Sequence, residues 1–157
     1  MKIMKKKNMT RWGIGPKFAL ITLAYTALVY WVQKNYVPDW TMDGYLIAPI
    51  GILLICLGVL VFIDGYVNID RHYYRGVLCT EGVYKIVRHP IYGSWIILII
   101  PGIVLYWGTW LGLTIPLVAY LVFRCYIHEE EDYLLKKFGM AYRNYKERTN
   151  AIFPRIF

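Results

Sequence analysis

The stretch Thr80-Glu81-Gly82-Val83-Tyr84-Lys85-Ile86-Val87-Arg88-His89-Pro90-Ile91-Tyr92 decides how this chain is read. It sets two basic side chains, an acid, a histidine, two tyrosines, a glycine and a proline between two strongly apolar segments. A chain that is mostly hydrophobic thus concentrates its reactive and ligand-binding groups in one place. A functional reading has to explain why they stand at the edge of a membrane.

The surroundings require that membrane. Of 157 residues 58% are hydrophobic, more than a soluble domain of this length usually carries. Four apolar stretches run from about Lys17 to Gln33, Tyr45 to Ile63, Ile91 to Trp107 and Thr109 to Phe123. A membrane-crossing helix needs about 20 apolar residues, with roughly 17 as the lower limit. The second stretch qualifies comfortably and the first and third are borderline. The fourth is short and is separated from the third only around Gly108, so these two read as a tight helical hairpin whose full crossing stays open. The expected fold is an all-α integral membrane bundle of about four membrane helices. A cytoplasmic amphipathic helix follows the hairpin.

Residues 1–16 are a basic lead-in. Basic then apolar resembles a signal peptide, but no small-residue cleavage site follows Val32, and bulky Tyr36 and Trp40 come next. An uncleaved first helix is expected. Lys2, Lys5, Lys6, Lys7, Arg11 and Lys17 precede it, whereas the loop from Lys34 to Gly44 holds one lysine and two aspartates. Arg71, Arg75, Lys85 and Arg88 follow the second helix, and Lys136, Lys137, Arg143, Lys146, Arg148 and Arg155 follow the hairpin. The positive-inside rule then puts both termini and the Asn68 to Tyr92 segment in the cytoplasm. The net charge of +8 is read as topology. Nucleic-acid binding would need a basic face on a soluble domain, and none is visible. Cys56, Cys79 and Cys125 form no CxxC pair, so buried reduced thiols are expected, with neither a metal site nor a disulfide.

One membrane domain over residues 1–157 is expected, without linker or repeat, with residues 68–157 as its cofactor-binding half. Tyr25, Tyr30, Trp31, Tyr36 and Trp40 suit an aromatic belt at the outer interface. Pro49, Pro101 and Pro116 fall inside apolar segments, where kinks are expected and tolerated. From Glu129 on, Leu134, Leu135, Phe138, Tyr142 and Tyr145 recur at helical spacing, with basic residues largely elsewhere and Gly139 interrupting. Such a helix either lies in the membrane interface or caps the bundle.

Two polar clusters therefore face the cytoplasm: the opening stretch, and His128-Glu129-Glu130-Glu131-Asp132 at the exit of the fourth helix. The acidic run has a plain explanation as a helix N-terminus, which favours negative charge. Four acids beside Arg124 exceed that need and suit pairing with Arg88, His89 or a cationic ligand. Arg124 alone is best explained by snorkelling, although an ionisable group at membrane depth is a functional suspect. Pro90 restricts His89 to extended geometry and suits the first turn of the next helix. A lone histidine is more often structural; an adjacent arginine and Tyr92 argue for a ligand site.

The pattern Thr80-x-Gly82-x-Tyr84-x-x-x-Arg88-His89-Pro90-x-Tyr92 resembles the signature of the isoprenylcysteine carboxyl methyltransferase and phospholipid methyltransferase superfamily. Glu130-Glu131-x-x-Leu134-x-x-x-Phe138-Gly139-x-x-Tyr142-x-x-Tyr145, with Pro154 beyond, resembles its second block. The resemblance covers Leu78 to Pro154. It implies an integral membrane enzyme that binds S-adenosylmethionine without a Rossmann domain, in agreement with the lack of a GxGxxG motif. By that pattern the backbone around Leu78, Gly82, Val83 and Tyr84 wraps the cofactor. His89, Pro90 and Tyr92 line its adenosine side, and Glu130 and Glu131 hold its ribose or amino group. Arg88 and Arg124 are candidates near the methyl acceptor, and Glu131 joins them as a catalytic candidate. Relatives that methylate prenylcysteine carry a histidine four residues before the threonine, where this chain has Gly76; His72 is the possible substitute. Ser94 stands where many relatives have another small or aromatic residue, a neutral change. The N-terminal half matches nothing specific.

The acceptor is expected to be a lipid or a small hydrophobic molecule: a prenylcysteine-type carboxylate, a phospholipid amine, or another thiol, amine or acid. Methyl transfer is an in-line displacement at a sulfonium, so positioning matters most, and excluding water helps as its charge disperses. A carboxylate is already nucleophilic and an arginine orients it; an amine must first lose a proton, which a glutamate can take. Two other readings compete. Sterol-type reductases using NADPH share Arg-His-Pro-x-Tyr, but usually carry Asn where this chain has Ile91 and have more membrane helices. A non-catalytic membrane module would use the polar clusters as internal ion pairs.

Overall fold

A computed structural model describes residues 12–38 and 44–155. Lys2, Lys5, Lys6, Lys7 and Arg11 of the basic lead-in, and Trp40 of the outer belt, lie outside those residues. Six α-helices carry the fold: α1 (Gly15–Tyr36), α2 (Gly44–Arg75), α3 (Pro90–Gly93), α4 (Ile100–Trp107), α5 (Thr114–Phe138) and α6 (Met140–Arg148). A π-helical segment, Ser94–Ile99, joins α3 to α4, so that Pro90–Trp107 forms one span. Short 3-10 turns cover Gly82–Lys85 and Leu111–Leu113.

Among the described residues, four helices are long and apolar enough to cross a membrane: Gly15–Tyr36, Ile47–Arg75, Pro90–Trp107 and Leu111–Phe138. The 18 residues of the third would rise about 27 Å at 1.5 Å each, close to the hydrocarbon thickness. The fourth, at 28 residues, is far longer than its apolar stretch. It runs on through Arg124 and the acidic residues, which are therefore mid-helix and not a helix N-terminus as the plain explanation had it. Gly108 ends α4 in the left-handed conformation (φ +63°), its N–H bonded to the Val104 carbonyl, and turns the hairpin.

Burial separates the helices. Half of the Pro90–Trp107 window is buried against 11% of the α2 window, so the third span is the centre of the bundle and α2 its lipid-side wall. α2 meets the central span through glycines seven residues apart. A Cβ on Gly51 would stand 2.7 Å from the Gly102 carbonyl oxygen, and one on Gly58 would stand 2.6 Å from Ile99. Close backbone approach of this kind replaces the hydrophobic effect as the packing force between membrane helices. α1 packs on α5 through Phe18, Thr22, Val29 and Gln33, a stripe at helical spacing. Phe123, Ala119 and Val104 are the most buried apolar side chains of the shared core.

Pro116 falls within the first turn of α5, where a missing donor costs little, whereas Pro49 lies inside α2 and Pro101 inside the continuous Pro90–Trp107 span, just after its π-helical segment. Tyr30, Trp31 and Tyr36 are exposed, as a belt requires. Tyr25 is not part of that belt: its hydroxyl bonds Thr114 Oγ1 at 2.9 Å inside the bundle. Cys56 and Cys125 are exposed and only Cys79 is buried, contrary to the expectation of buried thiols.

Gly76, with φ +65°, follows the last residue of α2, and its neighbour Val77 bonds back to the His72 carbonyl. This is a left-handed helix stop, which a side chain would strain. It gives a backbone reason for glycine where relatives carry histidine.

Candidate active site

α5 continues past the core, and its Glu130 and Glu131 project beside Arg88 and His89 at the entrance to the third span. Glu131 accepts from Arg88 Nε at 3.1 Å and Nη2 at 2.9 Å, and from Lys146 Nζ at 2.6 Å. His89 Nε2 is 3.4 Å from the same carboxylate. Glu130 accepts from the Ile14 backbone N–H at 3.1 Å and from the Tyr92 hydroxyl at 3.0 Å, and faces His89 Nδ1 at 3.5 Å. Both ring nitrogens of His89 thus face carboxylates, an arrangement that only the doubly protonated ring satisfies. Burial alone would lower the His89 pKa; the hydrogen bonds and charges of Glu130 and Glu131 overcome it and raise the pKa above the ordinary imidazole value.

The backbone fixes this cluster. Arg88 N–H bonds the Asn150 carbonyl at 2.9 Å and His89 N–H bonds Ala151 at 2.8 Å, so the segment after α6 runs beside the motif. Arg88 Nη1 also donates to the Lys146 and Thr149 carbonyls. Tyr145 donates to the Tyr84 carbonyl at 2.7 Å. α6 therefore closes one side of the site, with Tyr142 buried and Lys146 turned inward. It caps the bundle, the second of the two expectations for this helix. Burial raises the Tyr84 and Tyr145 pKa values, keeping both phenols neutral, and pushes the Cys79 thiol up to about 11, so that it is no nucleophile at neutral pH.

A cavity of about 720 Å³ adjoins the cluster. Leu78, Tyr84, Arg88, His89, Tyr92 and Glu130 line it beside the cluster, with Phe18 packed on Tyr92 at 5.5 Å between ring centroids, and Thr22, Phe62, Trp95, Ile103 and Trp107 continue its wall along the spans. Trp12 stacks on Tyr66 with centroids 6.0 Å apart and bridges α1 and α2.

Six of the residues singled out in the sequence meet at this cavity, and five do not. Glu131 sits behind it, occupied by its three cationic partners. Pro90 is buried as the first residue of α3. Gly82 (φ +56°) is held against α2: a Cβ there would stand 2.5 Å from Asp64 Oδ2, and the Val83 N–H donates to that oxygen at 2.9 Å. Gly82 and Val83 thus tie the loop to α2. Arg124 is exposed, because six residues before Glu130 it points about 120° round α5. His72, the residue offered in place of the missing histidine, bonds the Asn68 carbonyl at 2.8 Å and approaches Glu81 at 3.9 Å, and it is not part of the cavity's lining.

Other residues had no motif to announce them. Gly13 (φ +53°) lets the chain pass over Glu130; its Cβ would lie 2.0 Å from Glu130 Oε2. The Gly13-Ile14-Gly15-Pro16 run was the available turn signal. Asp64 and Asn68, four residues apart at the end of an apolar run, were the signal for the loop anchor.

A model of the isoprenylcysteine carboxyl methyltransferase family matches residues 67–136. Protein-S-isoprenylcysteine O-methyltransferase of Dictyostelium discoideum is 31% identical over 80 residues, which cover 51% of this chain and 34% of that protein. The chain thus spans about a third of that relative. A probable protein-S-isoprenylcysteine O-methyltransferase of Oryza sativa subsp. indica is 27% identical over 147 residues, 91% of this chain and 75% of the relative. Protein-S-isoprenylcysteine O-methyltransferase B of Arabidopsis thaliana is 27% identical over 152 residues, 91% of this chain and 76% of its own. No solved structure matches the chain significantly. The matched residues hold the whole Arg88–His89–Glu130–Glu131 cluster, so the likeness to the isoprenylcysteine carboxyl methyltransferase family falls on the residues that build this site.

Proposed function

We propose that this protein is a multi-pass membrane methyltransferase that moves a methyl group from S-adenosylmethionine to a lipidic or small hydrophobic acceptor, with its site and both termini on the cytoplasmic side. A prenylcysteine-type carboxylate and a phospholipid amine are the acceptors considered. The observation that carries this reading is a cavity with a carboxylate- and histidine-bearing end and an apolar, aromatic end. A polar donor and an apolar acceptor need one space with two such ends.

The residues present fit the donor. Glu130 offers a carboxylate to ribose hydroxyls or an ammonium group, and among the described residues its Oε1 has only the long His89 contact. The rings of Trp12 and Tyr66 offer flat faces to a base. When bound, S-adenosylmethionine would supply an electrophilic methyl on a sulfonium. The chain's own contribution is placement. Tyr92 and Ile14 fix the Glu130 carboxylate, Glu131 fixes Arg88 and His89, and α6 with Trp12 keeps water out. Glu131 thereby acts as a positioning residue, with both oxygens engaged.

Incubating the purified protein with labelled S-adenosylmethionine and a lipid extract, then identifying the labelled product by mass, tests the reading. A labelled hydrophobic product supports it and names the acceptor. No transfer, together with preferential binding of NADPH, would replace it with the reductase reading.

A further inference from the structure

Besides His89, two cationic side chains line the cavity among the described residues: Arg88 and Lys137. Arg88 is committed. Its Nε and Nη2 donate to Glu131, and its Nη1 donates to the carbonyls of Lys146 and Thr149. Arg124, the other arginine expected near the acceptor, is exposed and off the cavity. Neither is placed to receive an anion.

Lys137 is. Glu130, Tyr133, Leu134 and Lys137 all line the cavity and stand at i, i+3, i+4 and i+7, one stripe of α5. Lys137 is thus two turns, about 10 Å, along that stripe from Glu130. Its ammonium lies over aromatic rings: 5.1 Å from the Phe138 centroid, 5.4 Å from Tyr73 and 6.0 Å from Tyr133. Among the described residues it meets no carboxylate. Ring faces hold an ammonium without neutralising it, and its three N–H donors stay available for a charged acceptor oxygen. Tyr73 comes from the end of α2 and the rest from α5, so the group spans the gap between the two helices.

We propose that Lys137, steadied by Tyr73, Tyr133 and Phe138, binds an anionic oxygen group of the acceptor, a carboxylate or a phosphate. It takes the place that the sequence had offered to Arg88 and Arg124. The proposal rests on the methyltransferase reading for the word acceptor, but the anion site itself is read by binding alone.

The test measures dissociation constants of the full chain in detergent for three ligands: N-acetyl-S-farnesylcysteine, its carboxamide, and phosphatidic acid in mixed micelles. Wild type, Lys137→Met and Lys137→Arg are compared. Lys137→Met is expected to bind at least one of the two anions tenfold or more weakly, with the carboxamide unchanged and Lys137→Arg close to wild type. Which anion suffers tells a prenylcysteine carboxylate from a lipid phosphate. Unchanged affinity for both anions in Lys137→Met overturns the proposal, as does an equal loss for the carboxamide. S-adenosylhomocysteine binding is measured separately on the wild type. If it fails while the anion dependence on Lys137 holds, the methyl donor is wrong and the anion site stands.

Discussion

The two halves of this molecule hold themselves together differently. From Asn68 onward, buried charge is paired: Glu131 alone engages the buried Arg88 and His89 side chains and the half-exposed Lys146. In α1 and the outer part of α2, exposed Leu20, Leu23, Leu53 and Leu60 face outward, and packing rests on small residues and a narrow apolar stripe. The difference teaches where sensitivity lies. A polar network fixes geometry sharply but fails when one member is removed, whereas a lipid-facing wall tolerates apolar exchange. The halves meet where the Ile14 N–H reaches Glu130.

The largest effect is expected on the polar side. Glu131→Ala leaves Arg88 and His89 buried without their shared counter-charge, which costs about 3–5 kcal/mol in such settings. A marked fall in the unfolding temperature in detergent, with loss of S-adenosylhomocysteine binding, is the expected outcome. An unfolding temperature equal to wild type would erase the contrast between the halves. Exchanging Leu20 for Ile should serve as the quiet control.

Next is Glu130→Gln. It keeps the shape but weakens the charge-assisted bonds, and at least a tenfold loss of S-adenosylhomocysteine affinity (about 1.4 kcal/mol) is expected in calorimetry, with a smaller thermal shift than Glu131→Ala. Equal thermal losses would mean that Glu130 is as structural as Glu131.

The junction comes third. Gly13→Ala places a methyl against Glu130 Oε2 in a backbone conformation costing roughly 1–2 kcal/mol for a non-glycine residue. Weaker S-adenosylhomocysteine binding is expected even though Gly13 lies in neither motif. Normal binding would return the site wholly to the C-terminal half.

The smallest effect is a pH slope. The folded-state pKa of His89 is raised, so its contribution is fully present below the unfolded value of about 6.5 and is lost as pH rises through the folded value. The unfolding temperature should fall over that rise, and His89→Gln should flatten the slope. A slope unchanged in the variant would assign it to another group.

What was legible in the sequence follows the same division. Arg88, His89, Tyr92 and Glu130 were readable because they fall in two motif blocks of reactive residue types, each beside an apolar run. The four spans were readable from apolar length. The extent of α5 was not, since its apolar run stops at Phe123 while tertiary pairing of Glu131 carries the helix on to Phe138. Nor was the separation of Glu130 from Glu131, adjacent in sequence and about 100° apart on the helix: one lines the cavity and the other is held behind it. The family resemblance offered the backbone of Gly82 and Val83 to the cofactor, and what it could not show is what holds that loop in place. Their partners are Asp64 and Asn68, which only the folded chain brings near.

The central claim is that the polar end of the cavity receives S-adenosylmethionine through Glu130. Isothermal calorimetry of S-adenosylhomocysteine against purified wild type and Glu130→Ala measures it directly. Saturable binding to the wild type and none to the variant is predicted. A folded wild type that binds neither S-adenosylhomocysteine nor S-adenosylmethionine, or a variant that binds as tightly as wild type, would contradict it.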